Sequence, residues 1–544
     1  MSLVQPYLYH ASRSRMFLWS FALGMLALGA GIGFHLAQRQ SARTDLLGER
    51  VLATAGLAAL REDDDRLTPT EVIEETPPKL LEALDAELAD GEVTFRDLID
   101  AIPVLTVYFD AKGDAAARQI FRKHYSPAEA ALAADYLAAW YGRDPQAYDR
   151  IVVSAKATPP PPLVHHVLGR LNYHSKSYRT AYVYFRRDAD AATVYASRFW
   201  ATRALAEEKD FGELARLQSL PEFAPYFDTH LRLKVAIGQK DWPAIIRAVP
   251  LTQLESYREP VFIIAVLTGL AWGFFLAVLG DLPGPLSGRA ALCVLALLAG
   301  MVSTTPTLYL VILTEDIFNL SMGENLVQHF AFYTGGVGLR EEVCKLLLFV
   351  PFLPVLYRRD DELEVLIVAS FVGLGFAMEE NAGYFLQSAA AAAPGRFLSA
   401  NFFHIALTGI NGLALYRVCT HGWRGLNQFL AIFPLTILAH GGYDMLLSSD
   451  QIEYGSFWAM GVYVLFAQYY LRTAHALRPA GNHRTFSLTG ALVMGISTVT
   501  AVVLAFQMST LGAQAGATLM MSELLASVIL LFLFFREFNE ALTD

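Results

Sequence analysis

The chain has 544 residues, 54% of them apolar and 17% charged, with a net charge of −10. It is too apolar for an ordinary soluble protein and too charged to lie wholly in lipid, so one soluble and one membrane region are expected. The acidic balance argues against a nucleic-acid partner, because phosphate binding needs a basic surface. The three cysteines, Cys293, Cys344 and Cys419, lie in apolar stretches, which leaves no disulfide framework and no cysteine-rich metal site.

In chain order, residues 17–36 form the first apolar run long enough to cross a bilayer, which takes about 20 residues. An uncut anchor is expected, since a cleaved signal peptide has a shorter apolar core and a small-x-small cleavage site. Residues 37–258 are polar, Ala-rich and helical in pattern, with linkers at Pro77-Pro78 and Pro159–Pro162 and a solvated acidic turn at Glu62–Asp65. Within them Ser177-Tyr178, Asp210-Phe211 and Asp241-Trp242 recur at intervals of 33 and 31 residues, each between two apolar helical runs. That period marks stacked helix pairs. The stretch Leu168-Gly169, Asn172-Tyr173, Tyr178, Ala181, Phe185 resembles a tetratricopeptide repeat, although the proline that usually ends the repeat is missing.

From residue 259 apolar runs dominate, at 260–281, 289–313, 330–357, 363–387, 399–419, 427–447, 455–472, 486–508 and 514–536; with the first anchor they make ten expected spans. The expected fold is all-α: an anchor at 1–36, a helical-repeat domain at 37–258 and a polytopic helical membrane bundle at 259–544. Alternate loops carry Arg289, then Arg358-Arg359, then Arg417 and Arg424, then Arg472, Arg478 and Arg484. The intervening loops are acidic or neutral. Because Lys and Arg mark the cytoplasmic side, this alternation puts 37–258 outside the cytoplasm. Arg13 and Arg15 agree; Arg39 and Arg43 do not.

Ionisable groups inside a bilayer cost roughly 2.5–3.5 kcal/mol each on insertion scales and are functional candidates by default. Here they cluster on four consecutive spans: Arg340-Glu341-Glu342-Val343-Cys344-Lys345, then Glu379-Glu380-Asn381, then His404, then His440 with Asp444. Glu341 and Lys345 are four residues apart, share a helix face and are expected to pair, leaving Glu342 to face another partner. Arg340 is expected to neutralise Glu379. His440 and Asp444 share the same spacing and project into one cavity. Counted from the cytoplasmic end of each span at the helical rise, Glu342, Glu380 and His440 lie about 24 Å deep and His404 about 20 Å, all in the outer half of the bilayer. His329 and His421 sit near span ends, where a solvated interfacial histidine is expected. The glycines at 335–338 suggest a broken helix or re-entrant turn.

Two hydrolytic routes are open. A carboxylate beside a histidine can activate water, with a second polar group stabilising the oxyanion and no metal needed. Alternatively His404, His440 and Asp444 could hold a zinc ion that lowers the pKa of bound water.

At these residues the chain resembles the PrsW family of intramembrane proteases, which groups with CAAX prenyl endopeptidases and bacteriocin-processing enzymes. The resemblance covers about residues 325–450. It rests on Glu341-Glu342-x-x-Lys345, Gly375-Phe376-Ala377-x-x-Glu380-Asn381, His404 in an apolar helix, and His440-x-x-x-Asp444. It implies an endopeptidase of a bacterial cell membrane acting on a membrane-protein substrate. Glu342 or Glu341 would activate water, His404 would assist, and His440 with Asp444 would bind metal or the oxyanion. Lys345, Glu380 and Asn381 would support them. Related enzymes often carry Asn where Asp444 stands, which favours a ligand or proton-sharing role at that position. A proton-coupled transporter or channel is the alternative, since it too buries carboxylates and histidines at one depth. No inverted repeat supports it.

Overall fold

The computed structural model describes residues 4–40, 47–55, 77–89, 93–191, 195–282, 287–388, 390–449, 451–478, 486–538 and 542. Glu62–Asp65, Arg43 and Arg484 fall outside them. All regular elements among the described residues are helices, as the all-α reading requires. They form two compact units. One comprises Met1–Gly33, Val249–Gln507 and Gly516–Asp544; the other comprises Phe34–Ala248 and Met508–Ala515.

The second unit has two cores. Leu80, Leu84, Leu98, Tyr136 and Leu137 anchor one, and Phe185, Leu205, Leu214 and Phe223 anchor the other. The residues that recur in the sequence open the second helix of successive pairs: Tyr178–Ala191, Phe211–Gln218 and Trp242–Ser256. A lysine in the left-handed region precedes each one, Lys176, Lys209 and Lys240, with φ of 59°, 60° and 54°. Asp210 Oδ1 then accepts the amide of Glu213 at 3.0 Å and Asp241 Oδ1 that of Ala244 at 3.2 Å, so these positions are helix caps. Gly169 explains the tight first pair, because a Cβ there would stand 2.5 Å from the Phe185 ring.

The other unit is built on seven helices that frame the polar cluster: α1 (Pro260–Leu279), α2 (Gly288–Val311), α3 (Leu339–Phe349), α4 (Glu362–Gln387), α5 (Ala400–His421), α6 (Trp423–Ser448) and α7 (Gly455–Leu477). Helices α4 and α5 are its centre and are buried over most of their length. Small residues let the backbones touch. A Cβ on Gly373 would stand 2.3 Å from the His404 carbonyl oxygen, and one on Gly375 would overlap that of Leu297. The N-terminal segment up to Gly33 belongs here as well: Gly29 lies against the Ala501 backbone, and the Ser487 amide donates to Ser12 Oγ at 3.0 Å.

Among the described residues, six helices are long and apolar enough to cross a membrane, and a seventh counts if the pair Gly516–Leu525 and Ser527–Phe538, bent by 44°, is one span. The chain is thus a multi-pass membrane protein. The sequence reading of ten spans adds three segments: 330–357, α4 and α7. Two of them, 330–357 and α4, carry the charges of the polar cluster, and α7 is rich in tyrosine. Charges lower the apolarity of a helix that the bundle itself shields. The 330–357 segment is also not one helix. It runs Leu326–Ala331, a π-helix at Phe332–Gly338, α3, a 3-10 turn at Val350–Phe352 and then Leu353–Arg359. Pro351 and Pro354 stand at the second break, where their rings and missing amides interrupt the ladder. At the first, Gly338 brings its backbone against α6: a Cβ there would meet Ile437 O at 2.8 Å and Gly441 N at 3.0 Å. The glycine cluster makes room for the α6 backbone beside His440.

At the other end of α4, arginines from three segments converge on its first turn. Arg289 donates to Asp361 at 2.8 Å, Arg359 donates to Glu364, and Arg417 grips Glu362 with two bonds of 2.7 and 2.6 Å.

Candidate active site

Helix α3 carries Glu341, Glu342 and Lys345 into the space between α4, α5 and α6. Glu342 is fully buried. Its Oε1 accepts from Lys345 Nζ at 2.7 Å and from His440 Nδ1 at 3.0 Å, and its Oε2 accepts from Asn411 Nδ2 at 3.1 Å. Thr436 Oγ1 in turn donates to Asn411 Oδ1 at 2.8 Å. Three side chains on three helices therefore satisfy one carboxylate, with Thr436 orienting one of them, as a buried charge demands.

Glu341 stands differently. Its Oε2 has no hydrogen-bond partner although it is buried. It lies 3.5 Å from Lys345 Nζ and 3.5 Å from His440 Nε2. His440 Nε2 is also 3.5 Å from Asp444 Oδ2. Since His440 Nδ1 donates to Glu342, its Nε2 is the ring nitrogen that faces the two carboxylates.

His404 on α5 is held from both sides. Lys345 Nζ donates to its Nδ1 at 2.9 Å, and its Nε2 is 3.1 Å from Glu380 Oε2. The rings of His404 and His440 are 5.1 Å apart. Phe376 from α4 covers Lys345, with Nζ 4.1 Å from the ring centroid. Arg396, on the short helix Ala393–Leu398 between α4 and α5, donates to Glu380 Oε2 at 2.9 Å. It also donates through Nε to Asn381 Oδ1, and Asn381 donates to Asn401.

The structure brings Glu341, Glu342, Lys345, Glu380, Asn381, His404, His440 and Asp444 into one neighbourhood, and it changes several pairings. Lys345 binds Glu342, three residues back, more closely than Glu341, four back; both spacings share a helix face, and the deeper carboxylate has the greater need of a cation. Arg340 does not neutralise Glu379. It donates to Glu315 at 2.7 Å and to Thr314 at 2.6 Å. His329 is buried, not solvated, with Nδ1 3.2 Å from Ser449 Oγ. His421 is exposed.

Sequence reasoning missed Asn411, Thr436 and Arg396. Asn411 lies two turns after His404 and Thr436 one turn before His440, so each had a signal: a polar residue on the same face as a candidate. Arg396 is the basic residue at the end of an otherwise neutral loop, next in sequence to the Glu380-Asn381 motif.

Donor atoms of Glu341, His404 and His440 lie within 4.8 Å of one another, close enough to share a metal ion. Glu341 replaces Asp444 in the set expected from sequence. Two histidines and a glutamate form a familiar zinc donor set. The Glu341 oxygen without a hydrogen bond, the Nε2 of His440 beside it and the bond from His440 Nδ1 to Glu342 fit a cation.

Residues 288–471 match the family model described as PrsW family intramembrane metalloprotease. The polar cluster lies wholly within them, so the chain is similar to that family over the part of its membrane core that carries the four motifs. No curated protein and no solved structure matches the chain.

Proposed function

We propose that this chain is an endopeptidase of a bacterial cell membrane that hydrolyses a peptide bond near the extracytoplasmic end of a membrane-anchored protein, as in regulatory proteolysis. The observation that carries the reading is the contrast between the two glutamates. Glu342 is saturated by Lys345, His440 and Asn411, so it holds the site together. Glu341 keeps a buried oxygen without a partner, facing His440. It is the group placed to take a proton from water. Glu342 sets the His440 ring so that Nε2 points at this oxygen. Lys345 supplies the cation that offsets two neighbouring carboxylates. Asp444, 29% exposed, shares the space beside His440 and can receive or return a proton as the leaving amine departs.

In the metal-dependent route Glu341, His404 and His440 would instead hold a zinc ion, Glu341 then serving as a ligand rather than as the base and His404 binding through Nδ1 in exchange for its Lys345 contact. When bound, the ion would lower the pKa of water and polarise the scissile carbonyl. His404 is directed by Glu380, and His440 by Glu342, which orients both rings for that task.

The arginine alternation supports an extracytoplasmic place for residues 37–258. Their recurring helix pairs support a tetratricopeptide-like surface that recruits or screens substrates.

The test compares membrane proteomes of wild-type and Glu341→Gln cells. Loss of the general base should slow cleavage by about 10²- to 10⁴-fold, so an uncut membrane protein should accumulate. Indistinguishable proteomes would sink the proposal.

A further inference from the structure

Arg396 belongs to none of the recognised motifs, yet it sits at the junction of several. Its Nη2 donates to the same Glu380 oxygen that faces His404 Nε2. Its Nε donates to Asn381, which in turn holds Asn401, one turn before His404 on α5. Its guanidinium lies 3.6 Å from the centroid of the Tyr384 ring. Both residues of the second motif and the helix that bears His404 are therefore tied to one side chain.

The turn carrying Arg396 is itself locked. Trp272 Nε1, from α1, donates to the Phe397 carbonyl at 2.7 Å. Tyr463 Oη, from α7, donates to the Leu398 carbonyl. The two carbonyls directly after Arg396 are thus held by donors from two helices that contribute nothing else to the cluster. Trp272 and Tyr463 are both fully buried, and Trp272 also packs on Phe397 with ring centroids 5.3 Å apart. A connection between two spans would ordinarily be the loosest part of the bundle. Here it is fixed from both flanks.

We infer that Arg396 is a positioning residue of the protease site, acting through Glu380 to set the ring of His404. The inference rests on the protease reading above. Lys345, which has only donors to offer, occupies His404 Nδ1, so the ring hydrogen stands on Nε2 and needs an acceptor. Glu380 is that acceptor, and Arg396 keeps its oxygen in place. Helices α1 and α7, which carry no ionisable residue of the cluster, reach the site by holding the Arg396 turn.

The test uses full-length protein labelled with ¹⁵N-histidine in detergent micelles, with the His404 resonances assigned by their loss in His404→Gln. Cleavage of a quenched fluorogenic single-span peptide is measured in parallel. Wild type should show the Nε2–H tautomer. Arg396→Met should disturb that pattern and cut cleavage by about 10- to 100-fold, the usual cost of losing an outer-shell partner. Arg396→Lys should restore the tautomer pattern and part of the activity. The double variant Arg396→Met/Glu380→Gln should be no slower than Glu380→Gln alone. Arg396→Gln, which keeps bulk and a donor but loses the charge, carries the same expectation as Arg396→Met if the latter does not fold. The inference is overturned if His404 keeps its wild-type resonances in both Arg396→Met and Arg396→Gln, or if the two activity losses multiply in the double variant. Should wild type cleave nothing, the protease reading fails while the resonances still decide the role of Arg396.

Discussion

Glu342 Oε1 and His440 Nδ1 are joined by a 3.0 Å hydrogen bond, and that bond turns the other ring nitrogen of His440 towards Glu341 and Asp444. Two adjacent glutamates thereby acquire opposite duties. One is consumed in building the site, and the other is left with an oxygen to use.

The two glutamates should separate experimentally. Glu342→Gln removes the charge that compensates a fully buried lysine, a change that costs about 3–5 kcal/mol in comparable buried pairs. Thermal unfolding in detergent should show a clear fall in Tm. Glu341→Gln should leave Tm near wild type while abolishing cleavage. Equal Tm losses in both variants would contradict this division.

Lys345→Met should be destabilising alone and less so with Glu342→Gln, because the double change removes both charges of the 2.7 Å pair. A double-mutant cycle on unfolding should return a coupling of about 1–3 kcal/mol. Additive losses would show that the pair does not act as a unit.

Metal removal offers a third check. A zinc chelator should stop cleavage and added zinc should restore it. Purified wild type should hold about one zinc per chain, while His440→Gln and Glu341→Gln should hold far less. Asp444→Asn should retain zinc, with affinity weakened by about 10- to 100-fold. Full activity in metal-free protein would favour the metal-independent route.

The four polar motifs were legible because charge is so rarely tolerated in an apolar helix that each instance stands out. The helical spacing of His440 and Asp444 likewise foretold a shared cavity. What the sequence could not show was which partner wins. Lys345 lies within reach of both glutamates, and only the packing of Asn411 and His440 around Glu342 decides between them. Arg340 is adjacent in sequence to the cluster, but its side chain leaves α3 towards Glu315. The span count failed for a related reason: an apolarity rule cannot see that α4 is sheathed by other helices. Trp272 and Tyr463 gave no signal at all, since an aromatic residue in an apolar run reads as core, and its single donor shows its use only when a carbonyl is placed opposite.

Residues 37–258 yield a pH prediction. Two hydrogen bonds from Arg216, at 2.7 and 2.6 Å, hold the Glu213 carboxyl down to about 2, and Tyr182 adds another at 2.5 Å. Because the folded value lies below the ordinary 4.5, the contribution of this contact is present above pH 4.5 and is lost as pH falls towards 2. Hydrogen exchange in Tyr178–Ala191 and Phe211–Gln218 should quicken over that window. Glu213→Gln should remove part of the acid dependence; an unchanged profile would assign it to other groups.

Deleting residues 37–258 should change which proteins are cleaved while Glu341-dependent hydrolysis of the fluorogenic peptide persists. Loss of the membrane fold in the truncated chain would refute that division of labour.

The arginines gathered on the first turn of α4 have a mechanical consequence. Arg289, Arg359 and Arg417 rivet three separate segments to Asp361, Glu364 and Glu362 at one pole of the bundle. A bundle fastened at one pole parts most easily at the other, as forceps open away from their joint. At the other pole that opening is opposed by Trp272 and Tyr463, which hold the turn carrying Arg396, so the polar cluster is braced from both ends of α4.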